Sequence, residues 1–286
     1  MTAPLRIFRS LWTNGFDLDA ALADCRLGLF DGVEGPVPEE AGARREFAAK
    51  LQHERTPFIA EIATGGGYVP ADSSPESHLE DFRRQTEDAL ECSPIFFTVL
   101  AGCDRWPAAQ SVEFFGRALE IGRELGADPS FETHRSRPTY NPWATRDLLE
   151  CLPDLRLTCD FSHWCCVCER LVLDEEAGIL ALCAARARHV HARVGHAQGP
   201  QVPHPAAPEY RAALKAHERW WDAVWAAQTG SPGPTLTPEF GPDGYLQAEP
   251  FTRVPAANLD EINRWMAARQ RQRFARRETA AAVPQP

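Results

Sequence analysis

The chain has 286 residues, is 44% hydrophobic and carries a formal net charge of −10. That length suits one large core, since α/β barrels occupy about 250 residues, and the acidic balance argues against a nucleic-acid surface, which is usually basic. No apolar run approaches the roughly 20 residues of a membrane span, the N-terminus lacks the apolar core of a secretory signal, and nine scattered cysteines read as reduced thiols of a cytoplasmic protein.

Eight strand-like runs alternate with helix-like runs. The first strand is predicted over Leu5–Trp12, followed by a helix over Asp17–Leu27 with an aspartate at its cap. A short strand over Phe30–Glu34 precedes a helix over Pro38–Arg55, and a third strand spans Pro57–Ile62. Gly, Pro and Ser in Ala63–Ser74 mark a candidate active-site loop, and Pro75–Cys92 is helical. Strand four is Pro94–Ala101, with a regular helix over Pro107–Leu125 behind it. Strand five is Pro129–His134, and a short helix covers Ala144–Leu152.

Strand six falls in LRLTCDFSHW, Leu155–Trp164. By the period of two, Arg156, Thr158 and Asp160 share one face, and Leu155, Leu157 and Cys159 share the other. Asp160 then ends the strand, and His163 lies in the loop beyond. A helix follows over Leu171–Ala187, then strand seven over Arg188–Val194. A Gly- and Pro-bearing loop, 195–208, leads to a helix over Tyr210–Thr229. Strand eight is Thr235–Phe240, and the last helix is Leu259–Phe274. The tail, 278–286, has nothing to bury and is expected to be disordered.

Eight such units argue for a single (β/α)8 TIM barrel over residues 1–277. An open doubly wound sheet is the rival, but no G-x-G-x-x-G follows the first strand. Cys165, Cys166 and Cys168 have no partner cluster at zinc-ribbon spacing.

In a barrel, alternate residues of neighbouring strands point at the axis. Glu132 and His134 end strand five, Asp160 ends strand six, and Glu239 ends strand eight. Strand seven offers His189, His191 and Arg193 on one face. Several carboxylates crowded into a barrel mouth disfavour one another's ionisation, and a divalent cation removes that penalty. A mixed carboxylate–imidazole set suits Mn²⁺, with Mg²⁺, Co²⁺ and Zn²⁺ as alternatives. Of the two histidines, His191 lies nearer the C-terminal end of its strand and is favoured. Trp12, Trp106, Trp143 and Trp164 each follow a strand and are candidates for the wall of a sugar pocket, or for ordinary loop packing. Glu34 and Glu61 end strands two and three, where they reach either substrate hydroxyls or structural partners.

The order E-T-H, D-x-x-H, H-x-H-x-R and P-E-F at the ends of strands five to eight resembles the xylose isomerase-like TIM-barrel superfamily, most of all its sugar isomerase and epimerase branch. The resemblance implies a quartet of metal ligands at Glu132, Asp160, His191 and Glu239. It further implies that Glu132 and Glu239 double as the acid/base pair and that His163 contacts substrate. Arg193, His134 and Trp12 complete the candidates for substrate contact. After strand seven the epimerases have a Gly-Glu followed by an arginine, whereas this chain has Arg193, Val194, Gly195 and His196.

The expected function is proton transfer on a sugar, keto-sugar or polyol-derived substrate through a metal-bound enediolate, giving isomerisation or epimerisation. Loss of water from a keto-sugar or keto-inositol is the alternative. An endonuclease IV-like phosphodiesterase needs more histidine ligands and a basic face, and an intact quartet speaks against a barrel that only binds. The partner is then a small carbohydrate-like molecule rather than nucleic acid or a membrane, with a homo-oligomer left open.

Overall fold

A computed structural model describes residues 3–228, 233–242 and 244–282. Eight strands pair in sequence order, all parallel, and β1 closes on β8. They are β1 (Arg6–Ser10), β2 (Gly32–Gly35), β3 (Phe58–Ala63), β4 (Phe97–Leu100), β5 (Pro129–Glu132), β6 (Leu157–Cys159), β7 (Ala187–His191) and β8 (Thr235–Thr237). The helices between and after them are α1 (Leu18–Arg26), α2 (Ala41–Glu54), α3 (Pro75–Leu90), α4 (Ala108–Leu125), α5 (Pro142–Cys151), α6 (Ser162–Val167), α7 (Ala177–Arg186), α8 (Arg211–Ala227) and α9 (Leu259–Ala282). The expected TIM barrel is therefore present. Among the described residues no helix is long and apolar enough to cross a membrane.

Local chemistry sets the helix starts. Asp17 accepts from the Ala20 N–H at 3.0 Å, and Asn141 accepts from Ala144 at 2.8 Å ahead of Pro142. Each side chain satisfies an N–H that the first helical turn leaves free. Two differences from the sequence expectation matter. His163 lies in the first turn of a short helix, α6, rather than in a loop. The last helix runs on to Ala282, so the first residues of the expected tail continue it, while 283–286 lie outside the described residues.

The apolar core is mostly the layer between strands and helices, built from residues such as Ile7, Val33, Phe82, Phe131, Leu157 and Trp221. A small separate cluster of Phe8, Ile59 and Phe96 fills the inside of the barrel. Gly32 lies beside it because a Cβ there would come 2.5 Å from the Phe8 ring and from the Pro57 carbonyl. Next to this plug the inward residues are polar. The hydroxyls of Ser130 and Thr158 are 2.8 Å apart, and His189 bonds Thr235 at 2.7 Å and Thr237 at 2.9 Å. One step further along each strand come Glu34, Glu61, Glu132, Asp160, His191 and Glu239.

Candidate metal centre

Glu132, Asp160, His191 and Glu239 converge: each is buried, and one potential ligand atom from each lies within 4.8 Å of the others. His191 Nδ1 is 3.0 Å from Glu239 Oε2 and 3.7 Å from Glu132 Oε1. Among the described residues neither His191 Nδ1 nor Glu239 Oε2 has a hydrogen-bond partner, although both are sealed from solvent. The far nitrogen of the ring, Nε2, lies 3.0 Å from Glu34 Oε1. A carboxylate on the distal nitrogen fixes the ring's orientation and leaves the near nitrogen free to ligate. Donor set and orphaned atoms both fit a divalent cation, so this buried group could hold one.

His189 does something else. It bonds Glu34 and the two threonines of β8, and joins Glu34 and His191 in a neighbouring cluster. Glu34 is thus the structural carboxylate shared by both histidines. A third potential group, Glu132 with His134 and His163, adjoins the quartet, and the two imidazoles stack with ring centroids 4.0 Å apart.

The electrostatics are those of carboxylates crowded without enough counter-charge. Burial pushes Glu132 up to about 7, against the opposing charge of His191. Asp160 is raised by burial, with Arg193 opposing. Glu61 is held well above the carboxylate range by burial and by the charges of Glu239, Glu34 and Glu132. Burial alone would lower His191, but the carboxylates of Glu239, Glu34 and Glu132 overcome it and raise the imidazole well above its usual value. A cation would replace the protons that now balance the cluster.

Arg193 supplies part of that balance. Its Nη2 donates to Asp160 Oδ2, lies 2.6 Å from His163 Nε2 and is 3.6 Å from Glu239 Oε2. The other Asp160 oxygen accepts from the Ser162 N–H at 2.9 Å and from its hydroxyl at 2.5 Å. Gly195 makes this possible: a Cβ there would lie 2.4 Å from the Ser162 carbonyl oxygen, so only glycine lets the strand-seven exit press against α6.

A cavity of about 230 Å³ opens over the quartet. Of the four it is lined by Glu132 and Glu239 alone, together with Glu61, Trp12, Tyr68, Val69, Leu100, His134, Arg135, Arg193 and Tyr245. Three expected substrate contacts, Trp12, His134 and Arg193, therefore line the cavity. The fourth, His163, is fully buried, is not part of the wall, and meets Arg193 instead. Burial lowers both His163 and His134 well below the usual imidazole value, and nearby charges, Arg193 among them, add to it. Trp106, Trp143 and Trp164 are packing residues, their indole N–H groups bonding Ser73, Glu176 and Thr139.

Sequence reasoning missed Tyr245, Arg135 and the individual residue Tyr68. Tyr68 lies in the Gly-rich loop marked as an active-site loop, so its signal was composition. Tyr245 stands after β8 in a stretch without periodicity, and nothing marked it.

No family model matches the chain, and no curated protein matches it in sequence. Solved structures do. The 3-keto-D-glucoside 4-epimerase YcjR from E. coli is 16% identical, with 94% of this chain and 99% of that one covered, at a TM-score of 0.60. The probable 3-DHS dehydratase AsbF from Bacillus anthracis is 14% identical over 94% and 98% of the two chains, at 0.58. The IOLI protein with a bound zinc atom is 11% identical over 96% and 99%, at 0.62. A xylose isomerase domain protein from Planctomyces limnophilus is 13% identical over 83% and 91% of the two chains, at 0.57, and what these likenesses show of this chain is its fold, the closed eight-stranded (β/α)8 barrel.

Proposed function

We propose that the chain is a divalent-metal-dependent isomerase or epimerase acting on a sugar, keto-sugar or polyol-derived substrate. The observation that carries this reading is that Glu132 and Glu239 reach the cavity from the quartet while Asp160 and His191 do not line it. This supports a reading in which the first pair serves both cation and substrate and the second pair the cation alone. Glu132, Asp160, His191 and Glu239 would hold the ion, with Mn²⁺ favoured by the hard oxygen donors and single imidazole. When bound, it would polarise a substrate carbonyl and offset the charge left as the neighbouring C–H loses its proton.

The rest is the work of side chains. One glutamate takes the proton from carbon. The other returns a proton to the opposite face for epimerisation, or either returns it to the adjoining carbon for isomerisation. Glu132 and Glu239 both line the cavity, where either carboxylate can reach a substrate proton. Arg193 turns its guanidinium to Asp160 and Glu239 and is oriented by His163. Trp12 and Tyr245 meet edge to face, 5.3 Å between ring centroids, and offer aromatic surface to the C–H face of a sugar.

A dehydratase is the second reading, and Glu61 favours it. Its carboxyl lines the cavity and is held protonated by burial and by neighbouring carboxylates. Such a group can protonate a hydroxyl as the C–O bond breaks, releasing water. Product analysis by NMR in D₂O, with a panel of ketoses and keto-inositols, separates the two. Deuterium on carbon without loss of water supports the isomerase; water loss supports the lyase. No exchange across the panel in metal-loaded protein would count against both. Such an enzyme fits a cytoplasmic setting.

A further inference from the structure

Arg135 has no role in the proton transfer described above and, among the described residues, no ion-pair partner. It follows His134 in the loop after β5, is half-buried, and lines the cavity. Among the described residues its guanidinium forms no hydrogen bond or ion pair, and it lies over the Tyr245 ring, 4.8 Å from its centroid. Arg193 lies over the same ring at 4.6 Å. Arg193 is satisfied by Asp160, Ser162 and His163, so the spare donors at this end of the cavity are those of Arg135. The third arginine nearby, Arg137, is buried and spends its donors on backbone carbonyls of Thr64, Gly67, Tyr68 and Gly102.

We propose that Arg135 is a specificity residue that takes a carboxylate on the substrate, so that the cavity accepts a sugar acid or carboxylated keto-polyol in preference to a neutral sugar. The inference rests on the cavity's being the substrate site. A guanidinium fork matches a carboxylate through two parallel N–H···O bonds, and the aromatic ring beneath it fixes its plane. The opposite features lie with Glu61 and Tyr68, which belong to β3 and its loop and suit hydroxyl groups. The substrate is then held with its acid end at the β5 loop and its reacting carbons over Glu132 and Glu239. The charge of Arg135 also falls on His134 and His163, helping to keep both neutral.

The test uses three ketoses that differ at one carbon: D-fructose, D-fructuronate and D-fructose 6-phosphate. Their binding to the full-length, metal-loaded protein is measured by calorimetry, with metal content read on the same samples. Fructuronate should bind about tenfold more tightly than fructose, the worth of one well-placed charged pair at a partly exposed site. Arg135→Gln should abolish that difference without changing metal content, and Arg135→Lys should restore part of it. Equal binding of fructose and fructuronate, or no binding of fructuronate, overturns the proposal. So does a preference that survives Arg135→Gln, which would put the carboxylate on the cation or on Arg193, and so does a preference for the phosphate alone. Failure of the metal-centre reading shows separately, as protein that takes up no stoichiometric metal, whose preference between the two probes can still be scored.

Discussion

A glutamate that both holds a cation and moves a proton can be told from one that only holds it. Gln keeps a ligand oxygen and nearly the same shape but cannot accept a proton. If Glu132 and Glu239 transfer protons, Glu132→Gln or Glu239→Gln should lower kcat by roughly 10²-fold or more with the site saturated in metal. Recovery of full activity in excess Mn²⁺ would show that both are ligands only. Glu132 and His191 set a pH dependence. Glu132, at about 7, and His191, raised well above its usual range, must shed protons to bind a cation. Metal binding therefore releases protons, and affinity should rise as the pH passes upward through about 7. Calorimetric titrations in buffers on either side of that value check this; an affinity that is flat or falls with pH would contradict it. The role of Glu34 is also a matter of one bond. Glu34→Gln weakens the grip on His191 Nε2, now 3.0 Å away, and metal affinity should fall by about 10- to 100-fold. An unchanged metal dissociation constant would mean that packing alone orients the ring.

The elements that carry these residues differ in how plainly they are written in the sequence. Strand ends were legible. Alternation in β6 separates Thr158 and Asp160 from Leu157 and Cys159, and the structure keeps that division. The preference for His191 over His189 rested on position along β7; His191 lies in the group with Glu132, Asp160 and Glu239, and both histidines lie in a second group with Glu34. What stayed hidden depends on which loops meet, and a period of two or 3.6 holds no information about that. The engagement of Asp160 by Arg193 needs Gly195 against α6, and α6 is too short a helix to show a stripe. Arg137 is a second case. Its guanidinium is fully buried and bonds the carbonyls of Thr64 at 3.0 Å, Gly102 at 2.9 Å, Gly67 at 2.5 Å and Tyr68 at 3.1 Å. It pins the loop after β3 to the ends of β4 and β5. Arg137→Met leaves the buried carbonyls of Thr64 and Gly102 without that donor, while Tyr68 keeps its bond from Ser136, and should cost about 2–3 kcal/mol of stability. Limited proteolysis should then cut first in the 65–73 loop. Cleavage elsewhere, at an unchanged melting temperature, would show that the loop holds itself.

At the scale of the whole molecule, charge and closure are divided between the two faces of the sheet. Three arginines of α9 are paired: Arg269 with Glu218, Arg273 with Asp222 and Arg271 with Asp31. Those pairs tie α9 to α8 and to the loop after α1, on the outside of the barrel. Inside, the arrangement of depth has a consequence for traffic. Glu132 and Glu239 meet the cavity, whereas Asp160 and His191 are absent from its wall. A cation and a substrate would share that doorway, and a molecule seated in it corks the quartet. Exchange would then be last in, first out: the ion would load before the substrate and leave after it. Stripping of the loaded protein by a chelator should slow in proportion to the fraction of cavity filled by a slowly turned-over ligand. Equal stripping rates with and without that ligand would reveal a second way out, through the barrel wall.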